Sequence, residues 1–298
     1  MTDAKLPASA GANRKGAALM VGSMTAFTVN DAFMKALGAE WSVSQALFVR
    51  GACVVVLMLG FAAALGHLRR GISARDWRLM GFRTLCESVA ALLFIGAIFN
   101  MPLAEATAIL QTLPLTITLA GALILGEKVG WRRWLAILVG FVGVLFIVQP
   151  GGDGFSVYSL YAVTAVVLIT FRDMASRQMS DRVPSLLVAL VGAVGVTIVG
   201  AMGLPATAWA PFTPAALFGL GGAVLTVAVA YVFSVAAMRF GDIGFVSPYR
   251  YTSLLVSLIL GIAIFNEVPG PLTILGALLI TATGLYTLFR ENRVRPRA

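Results

Sequence analysis

The chain has 298 residues, of which 59% are hydrophobic and only 12% charged. Soluble proteins carry about 25% charged residues, so this chain has too little charge to clothe a water-facing surface, and its apolar content excludes disorder. The net charge of +9 lies beside apolar runs, where insertion and anionic lipid account for it without nucleic acid.

A membrane-crossing helix needs about 20 apolar residues. The runs predict an all-α polytopic membrane protein with ten transmembrane helices, over residues 16–38, 43–66, 77–99, 103–125, 132–149, 156–177, 183–203, 214–239, 244–265 and 271–290. Turn chemistry marks the breaks: Gly-Gly-Asp-Gly at 151–154, Pro205, Pro211 to Pro214, and Pro269 with Pro271, where a missing amide proton is tolerated. The first 15 residues are polar and the first apolar run is too long for a signal core. The only cysteines, Cys53 and Cys86, sit inside apolar runs and imply no disulfide scaffold.

Ionisable groups inside apolar spans are costly, so each is a functional candidate. The first span carries Thr25, Thr28, Asn30, Asp31 and Lys35. Asp31 and Lys35 are four apart and share a helix face, either as an ion pair or as a coupling site. The second span carries Arg50 about two turns from its start, read as structural. Arg83 and Glu87 repeat the four-residue spacing on the third span, which also supplies the apolar Phe94. On the fourth, Glu105 suits the positive helix start, while Thr107, Gln111 and Pro114 share one face beside Thr112. Glu127 and Glu267 close long apolar spans and read as helix-end or loop-locking residues. Asp173 and Arg177 pair by spacing on the sixth span, and the eighth adds Tyr231 and Ser234.

The ninth span is the most informative. It reads Ser247-Pro248-Tyr249-Arg250-Tyr251-Thr252-Ser253. Pro248 can free backbone carbonyls near a cavity. Arg250 either holds a substrate carboxylate through paired donors or snorkels to the interface.

Basic residues set the orientation. Lys5, Arg14 and Lys15 precede the first span; Arg69, Arg70, Arg75 and Arg78 lie at the second link; Lys128, Arg132 and Arg133 at the fourth; Arg172, Arg177 and Arg182 around the sixth; Arg239 at the eighth; Arg290, Arg293, Arg295 and Arg297 at the end. In a ten-span chain these fall on one side. The positive-inside rule therefore places both termini in the cytoplasm, with 1–15 and 291–298 as cytoplasmic tails. All five tryptophans fall at span ends, as an interfacial belt requires.

The halves 16–150 and 151–290 also align. Laying Glu127 on Glu267 brings Val43 onto Val183, Ala97 onto Ala237 and Leu103 onto Ile243; a shift two residues longer lays Asp31 on Asp173 and Lys35 on Arg177. Each half holds five spans, an odd number, so the second half enters the membrane inverted. This is the design of secondary transporters, with a substrate site near the midplane.

These residues resemble a known family. Gly126-Glu127-Lys128 followed by Trp134 through Gly143, and Asn266-Glu267 followed by Gly276-Ala277-Leu278-Leu279-Ile280 and Gly284, look like the two end-of-half signatures of the drug/metabolite transporter superfamily, EamA type. Phe48-Val49-Arg50 and Pro102-Leu103-Ala104-Glu105-Ala106 resemble its second-span arginine and the turn into its fourth span. Asn266 stands where glycine is usual, and the seventh span lacks a match for Arg50. The resemblance implies ten helices as two inverted five-helix repeats, export of small metabolites including amino acids, and a cavity lined by the first four helices of each half.

The sequence offers no enzyme signature. His67 is the only histidine and falls at a link, so a metalloprotease pair is impossible, and no Walker sequence is present. Neither cofactor nor metal is expected. The reading is an inner-membrane exporter of small polar metabolites, amino acids foremost, by alternating access. The alternatives are export of another solute or a cationic drug, a channel, or an intramembrane enzyme. A zwitterionic substrate needs a cation, an acceptor and an apolar wall. Arg250, Tyr249, Tyr251, Gln111, Thr107, Glu87 and Phe94 are expected to supply them, with Asp31, Lys35, Arg83 and Glu87 as coupling or ion-pair residues.

Overall fold

The computed structural model describes residues 10–64, 72–124, 126, 129–152, 155–180, 183–240 and 243–294. Lys5, His67, Arg69, Arg70, Glu127, Lys128, Arg182, Arg295 and Arg297, and the second half of the 151–154 turn, lie outside them. The described residues form α-helices joined by short turns, with no strand among them. In chain order they are α1 (Ala10–Leu37), α2 (Val43–Ala64), α3 (Ala74–Asn100), α4 (Leu103–Leu110), α5 (Leu113–Ile124), α6 (Trp131–Val148), α7 (Val157–Arg177), α8 (Ser185–Gly203), α9 (Pro214–Phe240), α10 (Ile243–Val246), α11 (Thr252–Phe265) and α12 (Pro271–Val294). Helix thus begins before the expected tail boundary at 15 and continues past 290.

Among the described residues, nine segments are long and apolar enough to cross a bilayer. They comprise α2, α3, α4 with α5, α6, α7, α8, α9, α11 with its preceding turn, and α12. The 28-residue α1 is not one of them. Its length suffices, but Asn30, Asp31 and Lys35 dilute its apolar run. It packs against α9, α11 and α3 and makes the tenth span.

Proline fixes the two broken spans. Pro114 lacks an amide proton and crowds the carbonyl four residues earlier, so the fourth span parts at Gln111–Thr112 into α4 and α5. Pro248 enters a 3-10 turn, Ser247–Tyr251, between α10 and α11. The intact helices start on ordinary caps. The Ser73 hydroxyl accepts from the Asp76 amide at 3.1 Å, and Ser156 accepts from the Tyr158 amide at 3.2 Å.

Helix pairing shows the repeat. α1 packs on α9, α3 on α7, α2 on α8, the α4 segment on α11, and α6 on α12. Exchanging each span with its counterpart in the other half maps this set of pairs onto itself. Gly126 and Asn266, equivalent by the alignment, both adopt left-handed backbone, with φ of +68° and 55°. Asparagine is the residue that most readily replaces glycine in that conformation, which explains the departure at 266. The α6–α12 pair crosses tightly. A methyl group on Gly143 would meet the Gly276 carbonyl oxygen at 2.9 Å, the small-residue contact that lets membrane helices approach.

Candidate functional site

The bundle is shut at one end. The Lys35 ammonium lies 2.8 Å from Glu267 and also donates to the carbonyls of Ile98 at 2.9 Å and Met101 at 2.6 Å. The other Glu267 oxygen accepts from the Leu103 amide at 2.8 Å. Beside this pair, Trp41 Nε1 donates to Pro211 O at 3.3 Å, and the Gln45 amide exchanges two 2.8 Å hydrogen bonds with the Ala210 backbone. Trp41 meets Phe212 edge-on, with ring centroids 5.2 Å apart. These contacts join the start of α2 to the segment before α9, and α1 to the end of α11.

From this closure a cavity of about 630 Å³ runs toward the opposite end, where Arg133, Arg177 and Leu288 form its last wall. Its walls come from α1, α2, α3, α4, α5, α7, α9, the 3-10 turn and α11. α6 and α12 contribute only Arg133, Thr287 and Leu288, all near the same end, so the fifth and tenth spans stay peripheral as the resemblance implies. α8 is absent from this wall. It lines instead an annex of about 210 Å³ that shares Arg50, Phe94, Leu110, Arg172 and Tyr231 with the main cavity.

The two broken spans meet here. Gln111, in the gap between α4 and α5, donates its side-chain amide to the Arg250 carbonyl at 3.1 Å and to the Ser253 hydroxyl. Arg250 faces the cavity, and among the described residues its guanidinium makes no ion pair. The hydroxyls of Thr107 and Tyr251 are buried on the same wall without a hydrogen-bond partner. A charge in an apolar span is costly unless compensated, so the Arg250 guanidinium, facing the cavity without an ion pair, marks a place that a polar solute completes. The cavity is lined by five arginines, Arg50, Arg133, Arg172, Arg177 and Arg250, against two carboxylates, Asp31 and Asp173.

The structure thus brings together Arg250, Tyr251, Gln111, Thr107, Phe94 and Asp31 on the main cavity. It sets the other expected residues elsewhere. Tyr249 is not on the cavity wall; its ring packs 5.9 Å from Phe245. Residues two apart point to different sides of a helical turn, so Tyr249 and Tyr251 diverge. Glu87 and Arg83 pair at 2.5 Å as spacing predicts, but they line the annex. Lys35 does not pair with Asp31. It turns to Glu267, while Asp31 accepts from the Asn30 amide at 2.9 Å. Asp173 is bonded to its chain neighbour Arg172 at 2.8 Å, and Arg172 also reaches Glu87 at 3.5 Å. Glu105 accepts from Thr273 at 3.1 Å, a structural contact. Sequence reading passed over Arg172 as a site residue, although an arginine beside Asp173 deep in an apolar span was the available signal. Among the described residues no cluster could hold a metal ion.

The EamA-like transporter family matches residues 14–149 and 157–289, one match per half. The chain is 24% identical to the S-adenosylmethionine uptake transporter of Rickettsia conorii, covering 92% of each chain. It is 25% identical to the riboflavin transporter of Vibrio cholerae, over 94% of this chain and 95% of that one. It is 27% identical to the pseudopaline exporter of Pseudomonas aeruginosa, over 90% and 93%. A solved crystal structure shares the fold with a TM-score of 0.59 at 17% identity, over 95% of this chain and 99% of that chain. With both halves matched and two sets of five spans paired as a repeat, the chain belongs to the EamA-like transporter family.

Proposed function

We propose that this protein is a secondary transporter of the bacterial cytoplasmic membrane that exports a small polar metabolite bearing a carboxylate, amino acids being the simplest members of the class. The observation that carries this reading is Arg250, which lines a cavity shut at one end and makes no ion pair among the described residues. A carboxylate there gains a fork of charge-assisted donors, and Phe94 and Leu110 offer the apolar wall. About 630 Å³ is room for a drug-sized molecule, so a metabolite larger than a free amino acid also fits. That agrees with relatives named for S-adenosylmethionine and riboflavin.

Orientation sets the side to which this form opens, and export is the reading we take from it. If the positive-inside rule holds, the Arg133 and Arg177 end faces the cytoplasm, and the Lys35–Glu267 end is the outer one. The cavity then loads from inside and discharges when the outer closure parts. Two similar halves of opposite orientation supply the two arrangements that alternating access requires.

The test is flux from liposomes holding the purified protein. Efflux of a preloaded amino-acid mixture, saturating with concentration and weakened about ten-fold or more in apparent affinity by Arg250→Gln, is the expected result. Flux absent from the parent, or unchanged in concentration dependence by Arg250→Gln, refutes the reading.

A further inference from the structure

The annex holds a second cation that makes no ion pair among the described residues. Arg50 lines both the main cavity and the annex. Among the described residues it reaches no carboxylate within ion-pair distance. Its hydrogen bond goes to the amide oxygen of Asn30, at 3.3 Å. The nearby Asp31 is engaged by Asn30 instead. An arginine carries five donors in a planar fork, so most of Arg50's hydrogen-bonding capacity is unspent, with Asp31 acting on it only at longer electrostatic range.

The rest of the annex suits a second small polar group. Arg83 is committed to Glu87 and to Ser176, and Arg172 to Asp173. Three guanidinium groups and one carboxylate face the space, with the Tyr231 phenol at the junction to the main cavity. Gly192 on α8 keeps the wall thin, since a methyl group there would run into the Glu87 carboxylate. A volume of about 210 Å³ accepts a carboxylate or phosphate with a short stem and no large ring system.

We infer that Arg50 and the annex form a second anion subsite, so that the transported solute carries two anionic groups, one on Arg250 and a second carboxylate or phosphate on Arg50. This rests on the carboxylate-at-Arg250 reading above and narrows it from a zwitterion to a solute of net negative charge. The excess of arginines over carboxylates on the cavity wall favours the same class, because a positive cleft with low-dielectric walls concentrates anions.

The test is thermal unfolding of the purified full-length protein in detergent, titrated with paired probes that differ by one anionic group: glutamate against glutamine, O-phosphoserine against serine, and γ-glutamylglutamate against γ-glutamylglutamine. The expected result is that the more anionic member of at least one pair stabilises at a concentration about ten-fold lower or less, the scale of one charge-assisted contact. Which pair responds separates carboxylate from phosphate. Arg50→Gln should collapse that ratio toward one. Gly192→Ala, which narrows the annex without changing charge, should do the same and decides the matter if Arg50→Gln fails to fold. Arg250→Gln should weaken both members of the pair. Equal potency within every pair in the parent overturns the second subsite while leaving the carboxylate reading standing. A ten-fold ratio that survives both Arg50→Gln and Gly192→Ala overturns it too. No stabilisation by any probe removes both.

Discussion

Lys35 on α1 and Glu267 beyond α11 stand 2.8 Å apart, and together they satisfy three backbone groups of the turn between α3 and α4: the carbonyls of Ile98 and Met101 and the amide of Leu103. One ion pair therefore clamps three segments at the shut end. Removing one partner of a buried pair leaves the other uncompensated, at roughly 3–5 kcal/mol. Lys35→Met should loosen this end. In a cysteine-free background carrying Thr107→Cys, labelling by an impermeant maleimide from the periplasmic side should rise about ten-fold or more. Unchanged labelling would show that the aromatic contacts hold the end alone.

Gln111 ties the two broken spans through the Arg250 carbonyl and the Ser253 hydroxyl. Gln111→Leu removes both bonds and leaves those groups to find other partners, at about 1–3 kcal/mol. Transport should fall several-fold while Gln111→Glu, which keeps the length but not the donors, falls similarly. Full activity in Gln111→Leu would mean that the tie is incidental.

Gly284 on α12 lies against the ring and hydroxyl of Tyr251. A side chain there must displace the tyrosine from the cavity wall. Gly284→Val should lower thermal stability by about 1–3 kcal/mol, the range for overpacking, and Tyr251→Phe should relieve little of it, because the ring carbons collide as well as the oxygen. Equal melting temperatures for Gly284→Val and the parent would contradict the packing.

Gly143 and Gly276 face each other's carbonyls where α6 crosses α12. Gly276→Leu should force these peripheral helices apart and reduce the folded yield, with little change in the substrate affinity of what does fold. A shift in affinity larger than the loss of stability would place α12 nearer the transport cycle than the structure does.

Both termini are expected on the cytoplasmic side, on the strength of the basic residues. A reporter active only in the periplasm, fused after Ala298, should be silent. Strong activity would invert every inside and outside assignment made above, including the direction of export.

Spans and repeat were legible because each follows from local chemistry: apolar run length, turn residues between runs, and the paired motifs at 126–127 and 266–267; the breaks inside the fourth and ninth spans were not, since each was read as one unbroken helix. The Arg83–Glu87 pair was legible for the same reason, since four residues on a helix face are neighbours. The identical spacing of Asp31 and Lys35 misled. Local proximity does not decide where a long side chain turns when another helix end offers a carboxylate and two free carbonyls. Tyr249 misled because both tyrosines were expected to flank one solute, whereas residues two apart on a helical turn point to different sides. Arg50 lies in a run that its sequence makes look structural, and only the packing of α2 against α8, α3 and α9 reveals that it lines two cavities at once.

The clamp at Lys35 and the paired bonds of Gln45 also set a condition on turnover. Swinging a two-state equilibrium from 99:1 to 1:99 takes about 5.5 kcal/mol. An empty carrier must find that from thermal motion alone, whereas a loaded one draws on whatever extra affinity its cargo has for the opened form. The tighter the clamp, the more rarely the unladen protein opens outward, while its empty return after release runs downhill to the shut form, so the clamp suppresses idle cycling and leaves net one-way traffic possible.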